Sequence, residues 1–390
     1  MYLVEGENGG MEVTARELLR VLSEVAPGLS YWAFINRELA AALRRGRVRF
    51  PEGIAPIEVP ARGRFRPSWL FAEQTILPLL ARRMGIRLLH SLGSTSPAWG
   101  PYARVVTIHD VIHARFPGAF RPLSRWALQG LLFTAAHRAQ RVITVSNWSK
   151  RDIVEVLRVE PQKVEVVYPG AAPPRPADQQ AIARIERLLD RRGRRLIFTP
   201  AADRPHKNLR RLVEALLVFN PESRPLLAIT GATRTHGASL WRYVEQLGLQ
   251  DDVKLLGWLS DVELEAVWSV ADALVFPSLY EGFGLPVIEA MARSVPVACS
   301  RATALPEAAG EAALLFDGEE PREIAAAIDR ILSDEALRKR LITVGQRRAA
   351  EFSWRRTAEQ TVAVYARALG FSEPPAAWFS PTRAAAGGVR

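Results

Sequence analysis

Residues 273–291, ALVFPSLYEGFGLPVIEAM, do most to restrict what this chain can become. Leu274, Val275 and Phe276 form an apolar, strand-like run that turns at Pro277 and Ser278. A loop with Gly282, Phe283 and Gly284 follows. Pro286 then stands where a helix would begin, a place where its missing N–H and fixed φ cost nothing. Strand, glycine loop and helix in that order aim free backbone N–H groups, here those of Gly282 through Leu285, at an anion. Two carboxylates bracket the loop, Glu281 before it and Glu289 in the first turn of a helix starting at Pro286. Both can face one ligand, one near its phosphate end and one accepting hydrogen bonds from hydroxyls. A unit of this kind belongs to an α/β protein with a parallel sheet.

The rest of the chain has the same texture. At 390 residues it exceeds the roughly 250–300 at which single cores stop growing, so two domains are expected. Tyr2, Leu3 and Val4 read as a short first strand, and Gly9 and Gly10 as a loop where backbone approaches a ligand before a helix from Val13. The full dinucleotide fingerprint would need a third glycine. Tyr31–Ile35 reads as a buried strand, 69–84 as an apolar-periodic helix and 86–91 as a strand. Gly93, Ser94, Thr95, Ser96 and Pro97 make a loop at that strand's C-terminal end, where ligands of open α/β sheets bind. The β-branched run over 104–108 then delivers His109 and Asp110 to the same sheet edge. Four prolines in residues 169–178, PGAAPPRPAD, mark a linker, because proline fits neither a helix interior nor a central strand.

Beyond the linker, a helix over 179–192 and a strand over 195–199 open the second domain. Residues 201–209, AADRPHKNL, come next, with Asn208 expected as a helix N-cap and the basic Arg204 and Lys207 suited to an anion. Asp251 and Asp252 read as a surface turn rather than a metal-ligand pair. A last helix covers 353–369, and 371–390 look like a loose tail.

Charge and cysteine narrow the function classes. The net charge is +11, yet residues 41–150 alone hold 17 Arg and Lys against 4 Asp and Glu, leaving the rest slightly acidic. An anionic membrane surface or lipid-phosphate acceptor would explain the concentration, as would solubilising charge in an arginine-rich composition. Nucleic acid is not expected, since no recognition motif or regular aromatic interleaving accompanies the arginines. No apolar run approaches the roughly 18 residues of a membrane span, and the N-terminus does not read as a signal peptide. Cys299 is the only cysteine, which excludes an internal disulfide and fits a cytoplasmic setting. One cysteine and six scattered histidines leave no zinc-type cluster.

The order of residues says more than their spacing. PSLYEGFGLPVIEAM resembles the donor-binding signature of retaining glycosyltransferases of family 4, in which two Glu separated by seven residues flank a Gly-Phe-Gly loop. The likeness continues through Pro296-Val297, Ala304-Leu305-Pro306-Glu307 and 310–315, GEAALL. It is strongest over 253–317, clear over 104–170 and weakest over 40–70; Ser294 stands where the family commonly has glycine. The resemblance implies the GT-B architecture, two Rossmann-like doubly wound domains facing a cleft. It places an acceptor domain in 1–170, a nucleotide-sugar domain in 171–352 and a crossover helix in 353–370 packing back on the first domain.

It also implies roles. Lys207 would grip the donor diphosphate, with Arg204, offset from the family's arginine, as a second cation. Glu281 would hold the donor sugar and Glu289 the nucleotide ribose. VVTIHDVI looks like the family's N-domain motif, so His109 would hydrogen-bond the donor sugar near its anomeric carbon; the Gly9-Gly10 loop would lie beside the cleft. No metal or other cofactor is expected. The donor is a nucleotide diphosphate sugar, GDP-mannose favoured, with UDP or ADP sugars as alternatives. The acceptor is a glycan, lipid-linked saccharide or small molecule. A non-catalytic nucleotide-sugar-binding protein is the alternative of another class.

Overall fold

The computed structural model describes residues 10–119, 122–232 and 238–380. The chain divides into two units, one ending at Gly170 and resuming at Ser353, the other running continuously as Ala171–Phe352.

The continuous unit is a six-stranded parallel sheet. Across it lie Ala313–Phe316, Val297–Ser300, Ala273–Phe276, Leu196–Pro200, Leu226–Thr230 and Val253–Gly257. In chain order the first strand therefore pairs with both the second and the fourth, the doubly wound pattern in which the winding reverses between strands one and four. Helices on both faces bury the central strands, which is why Leu226–Thr230 reads LLAIT without alternation, while Leu315 on an edge strand stays exposed. Phe198 and Phe276 are fully buried, each worth roughly 1.5–3 kcal/mol of transfer free energy.

Helix boundaries follow local chemistry. Asp261–Val270 starts in a capping box, Ser260 Oγ accepting from the Glu263 amide while the Glu263 carboxylate accepts from the Ser260 amide. Gln179–Leu189 stops three residues before the sequence suggests, because Asp190 takes a left-handed φ of 46°. Ser294 also sits at positive φ, 61°, which is the physical reason a glycine suits that position. Asp252 corrects the expectation of a surface turn. It is buried and accepts from Arg194 at 2.6 Å and Arg224 at 2.7 Å, tying two strand approaches together.

The discontinuous unit holds a four-stranded parallel sheet in sequential order, Leu88–Ser91, Ala103–Thr107, Arg141–Thr144 and Val164–Val166. Tyr31–Ile35 does not join it. That strand pairs in parallel with Ile54–Glu58 in a separate two-stranded sheet, and Trp32 is exposed, so the reading of a buried strand is corrected. The expected strand at 2–4 lies outside the described residues. The Trp354–Ala368 helix packs on Gly10–Val25 and closes one face of the four-stranded sheet, burying Trp354, Ala358, Val362 and Tyr365. At Gly170 a Cβ would lie 2.3 Å from the Trp354 amide nitrogen, so only glycine fits where this helix returns.

Two expectations change here. The helix over 69–84 is really Arg66–Phe71, a π turn at Ala72–Ile76, and Leu77–Arg83. The stretch after 371 is not loose throughout: Ala376–Phe379 forms a 3-10 turn, the Trp378 carbonyl accepts from the Gly28 amide at 2.9 Å, and Trp378 meets Phe371 edge to face. Residues 381–390 lie outside the described residues.

Candidate active site

In a doubly wound sheet, ligands bind beyond the C-terminal ends of the two strands at which the winding reverses. In the continuous unit those strands are Leu196–Pro200 and Ala273–Phe276. The loop after the first carries Arg204 and Lys207; the loop after the second carries Glu281 and the two glycines. The topology therefore brings together residues more than seventy positions apart.

Lys207 Nζ lies 2.5 Å from Glu281 Oε1 and 5.4 Å from the centre of the Phe276 ring. Both charged side chains are largely buried. The glutamate is fixed from behind, its amide donating to Thr303 Oγ1 at 2.9 Å, with Thr303 held at φ 52°. The two loops are further stitched by the Leu279 amide, which donates to the His206 carbonyl at 2.8 Å. Asn208 holds the expected N-cap position, but its side chain makes no capping hydrogen bond. It sits at φ 56°, and its Nδ2 donates to the carbonyls of Pro277 at 3.1 Å and Gly318 at 2.6 Å. The amide thus acts as a rivet between three loops.

The helix after the glycine loop is Leu285–Ala292, with Pro286 at its second position. Gly284 has φ 109°, and a Cβ there would meet Leu305 Cδ2 at 2.7 Å, so both backbone angle and space demand glycine. Among the described residues neither the Gly284 nor the Leu285 amide meets an acceptor, leaving them at the positive end of the helix. Phe283 is buried against Phe352 rather than aimed outward.

Glu289 falls in the second turn, one residue later than a start at Pro286 implied. Its carboxylate has no hydrogen-bond partner among the described residues, while the neighbouring Arg293 is already held by Glu265 and donates to the Glu289 carbonyl. Burial raises the Glu289 pKa, opposed by Arg293 and reinforced by Glu265 and Asp261. Arg204 is exposed and its guanidinium is unpaired among the described residues. The charge of this loop is felt nearby: burial, then Lys207 and Arg204, bring His206 down to about 4, against the opposing pull of Glu281. The loop therefore presents standing positive charge at neutral pH.

In the other unit, His109 follows the Ala103–Thr107 strand at its C-terminal end. Its Nε2 lies 3.3 Å from the Leu92 carbonyl, so Nε2 carries the proton and Nδ1 keeps its lone pair. Burial holds its pKa down to about 4, so the ring is neutral at pH 7 and can accept from a hydroxyl. His90 lies beneath, between Tyr365 Oη at 2.7 Å and Thr107 Oγ1 at 2.8 Å, and burial with His109 nearby takes it to about 3. The Asp110 carboxylate accepts from the Ile112 amide at 3.0 Å. Gly10 is not in a loop: it opens the Gly10–Val25 helix, and its carbonyl accepts from Thr14 Oγ1. Gly9 lies outside the described residues.

Thr303, Asn208 as a rivet and the Arg293–Glu265 brace escaped sequence reasoning, since each works through a contact distant in the chain. For Asn208 the one signal is its place in a Lys-Asn pair beside the basic loop.

Comparison with known proteins gives this architecture its relatives. The family model for glycosyltransferase family 4 matches residues 8–175, and that for glycosyl transferases group 1 matches 182–348. O-antigen chain mannosyltransferase B of Escherichia coli is 30% identical over 268 residues, covering 67% of this chain and 69% of that protein. An MMP alpha-(1->4)-mannosyltransferase of Mycolicibacterium hassiacum is 35% identical over 241 residues, 60% of this chain and 56% of its own length. Among solved structures, Anabaena HepE in complex with UDP-glucose superposes with a TM-score of 0.73 at 17% identity, covering 94% of this chain and 98% of that one. The two parallel-sheet units are thus the Rossmann-like domains of a GT-B fold, and the chain belongs to the family 4 glycosyltransferases.

Proposed function

We propose that this chain is a retaining hexosyltransferase that uses a nucleotide diphosphate sugar, GDP-mannose before UDP or ADP sugars, and a hydroxyl of a glycan or lipid-linked acceptor. The observation that carries the reading is the Lys207–Glu281 pair at the point where the sheet reverses its winding, beside the open amides of Gly284 and Leu285. The mannosyltransferases among the relatives support the choice of sugar.

The chemistry follows from charge. As the bond from the anomeric carbon to the diphosphate oxygen breaks, negative charge grows on the leaving group. Lys207 has two N–H donors to spare beyond the one given to Glu281. With Arg204 and the two amides it would meet that charge, so the reaction runs without a metal or other cofactor. Glu281 takes hydroxyls of the sugar, and Glu289, with no partner of its own, takes the ribose hydroxyls. His109 accepts from a donor-sugar hydroxyl near the anomeric carbon. The acceptor oxygen attacks on the face the diphosphate leaves; its proton passes to the departing phosphate oxygen, so no protein nucleophile is required.

A second feature bears on where the acceptor resides. The Pro122–Arg138 helix exposes Leu123, Trp126 and Phe133 along one side, with the Arg125 guanidinium 5.1 Å from the Trp126 ring. Among the described residues no helix is long and apolar enough to cross a membrane. An apolar stripe with arginines suits the interface of an anionic bilayer, and we place the protein in the cytoplasm, peripheral to the inner membrane face. Binding to phosphatidylglycerol vesicles should fall with rising salt and with Trp126→Ser; binding indifferent to both removes this part of the reading.

The main test is a thermal-shift panel of GDP-mannose, UDP-glucose, ADP-glucose and the free nucleotides on wild type and Glu289→Ala. Saturation a hundredfold above Kd stabilises the native state by about 2.7 kcal/mol. A shift confined to one base and lost in the variant supports the donor site; no shift with any nucleotide overturns it.

A further inference from the structure

The π turn at Ala72–Ile76 has a cause and a consequence. Pro78 has no N–H, so the Gln74 carbonyl loses its helical partner, and the turn widens until the Leu77 amide reaches back to the Ala72 carbonyl. The freed Gln74 carbonyl is taken by Trp99 Nε1 at 2.7 Å. In the widened turn two consecutive polar residues reach the same loop. Gln74 Nε2 donates to the Ser96 carbonyl at 3.1 Å, and Gln74 Oε1 accepts from the Ala98 amide at 3.0 Å. The Glu73 carboxyl, 6% exposed, accepts from Thr95 Oγ1 at 3.0 Å.

All of these contacts end on the loop at 92–99, and that loop ends on His109. The Ser94 amide, at φ 66°, donates to the Thr107 carbonyl at 2.9 Å, and the Leu92 carbonyl receives His109 Nε2. Thr95 closes the turn between them, its amide donating to the Gly93 carbonyl at 2.8 Å. A buried carboxyl costs free energy unless satisfied, so a core with only packing to achieve would not favour one here. What this carboxyl secures is a backbone carbonyl facing an imidazole.

We propose that Glu73 and Gln74 are positioning residues for His109: by clamping the 92–99 loop they hold the Leu92 carbonyl against Nε2 and so keep Nδ1 bare toward the substrate. The inference rests on the reading of His109 as a substrate contact. Removing either residue leaves the ring free to exchange tautomers and to swing off line, and misplacement of about an ångström can cost on the order of a hundredfold in rate.

The test reads the ring directly. Nitrogen-15 NMR of histidine-labelled protein, with His109 assigned by loss in His109→Asn, reports the tautomer without any substrate. Wild type should show the Nε2–H form. Gln74→Ala and Glu73→Ala should shift the His109 nitrogens toward a tautomer mixture and lower kcat ten- to a hundredfold, with nucleotide affinity within twofold. Glu73→Gln keeps an acceptor for Thr95 and should retain both the tautomer and the rate. Thr95→Val, nearly isosteric, serves if Glu73→Ala fails to fold, and should shift the ring as well. A His109 signal unmoved in Gln74→Ala and Thr95→Val overturns the clamp. A wild type that turns over no nucleotide sugar while the tautomer responds overturns the proposed reaction and leaves the clamp standing.

Discussion

The two candidate regions for chemistry in this protein are built on opposite plans. At the glycine loop, charge is concentrated: Lys207 against Glu281, an unpaired Arg204, and amides left open at a helix start. Around His109 charge is removed. Burial neutralises His90 and His109, and the His90 ring nitrogens and His109 Nε2 are spent on two hydroxyls and the Leu92 carbonyl. Under the proposed function, the first region would stabilise a leaving anion and the second would orient a neutral hydroxyl. Electrostatic stabilisation is usually the larger contribution to rate, and orientation the one more easily lost to small displacements.

That contrast can be broken at its strongest point first. Lys207→Ala should lower kcat by about a thousandfold, in the range found for removing a preorganised donor to a developing anion, whereas His109→Ala should cost about a hundredfold. Steady-state rates at saturating donor decide it; equal losses would mean that the two regions do not divide the work this way.

Next in size is the response to acid. His90 and His109 have folded-state pKa values near 3 and 4, below the ordinary 6.5. Depressed histidines contribute stability that is present above about 6.5 and is lost as pH falls toward the folded value, because the unfolded chain binds the proton first. Together they should cost the discontinuous unit on the order of 4 kcal/mol between pH 7 and pH 5. In the same unit Glu73, pushed up mainly by burial, acts in the opposite sense, its unfavourable contribution easing as it protonates. Urea unfolding followed at both pH values should show the loss, and His90→Gln should shrink it.

Two glycines give the smaller effects. Gly284→Ala should destabilise by about 1–3 kcal/mol, because φ 109° and the Leu305 methyl both oppose a Cβ. Gly130→Ala should stabilise by roughly 0.5–1 kcal/mol, since it lies exposed within Pro122–Arg138 with open space around its Cβ position. Chemical denaturation of each variant checks the signs, and a neutral Gly284→Ala would show the loop to be softer than its geometry implies.

The same contrast governs what could be read from sequence. The glycine loop is contiguous, so strand, turn, Pro286 and both glutamates stood within twenty residues, and Lys207 needed only the rule about strand ends. His109 was legible as a residue but not as a tautomer, because Leu92 reaches it through a fold. The Glu73–Gln74 clamp depends on a π turn, which no periodicity announces; only Pro78 hinted at a break. Gly10 reads as loop because glycine favours one by propensity, whereas in the structure it is the first residue of the Gly10–Val25 helix. Asn208 has a side chain suited to capping, and the competing carbonyls of Pro277 and Gly318 claimed it instead.

The interrupted path of the chain carries a cost in time. One unit begins the sequence, yet its face stays open until Trp354–Ala368 has been made, and Tyr365 cannot meet His90 before then. At roughly 5–20 residues per second, a ribosome needs about ten to forty seconds to cross the intervening stretch. During that wait the later-encoded unit, being continuous, can finish first. The nascent N-terminal half meanwhile exposes the apolar surface that the last helix will cover, including Leu18, Val21 and Leu22. Synthesis order and folding order can therefore run in opposite directions, and a chain cut short before residue 354 would lack the helix that covers the half translated earliest.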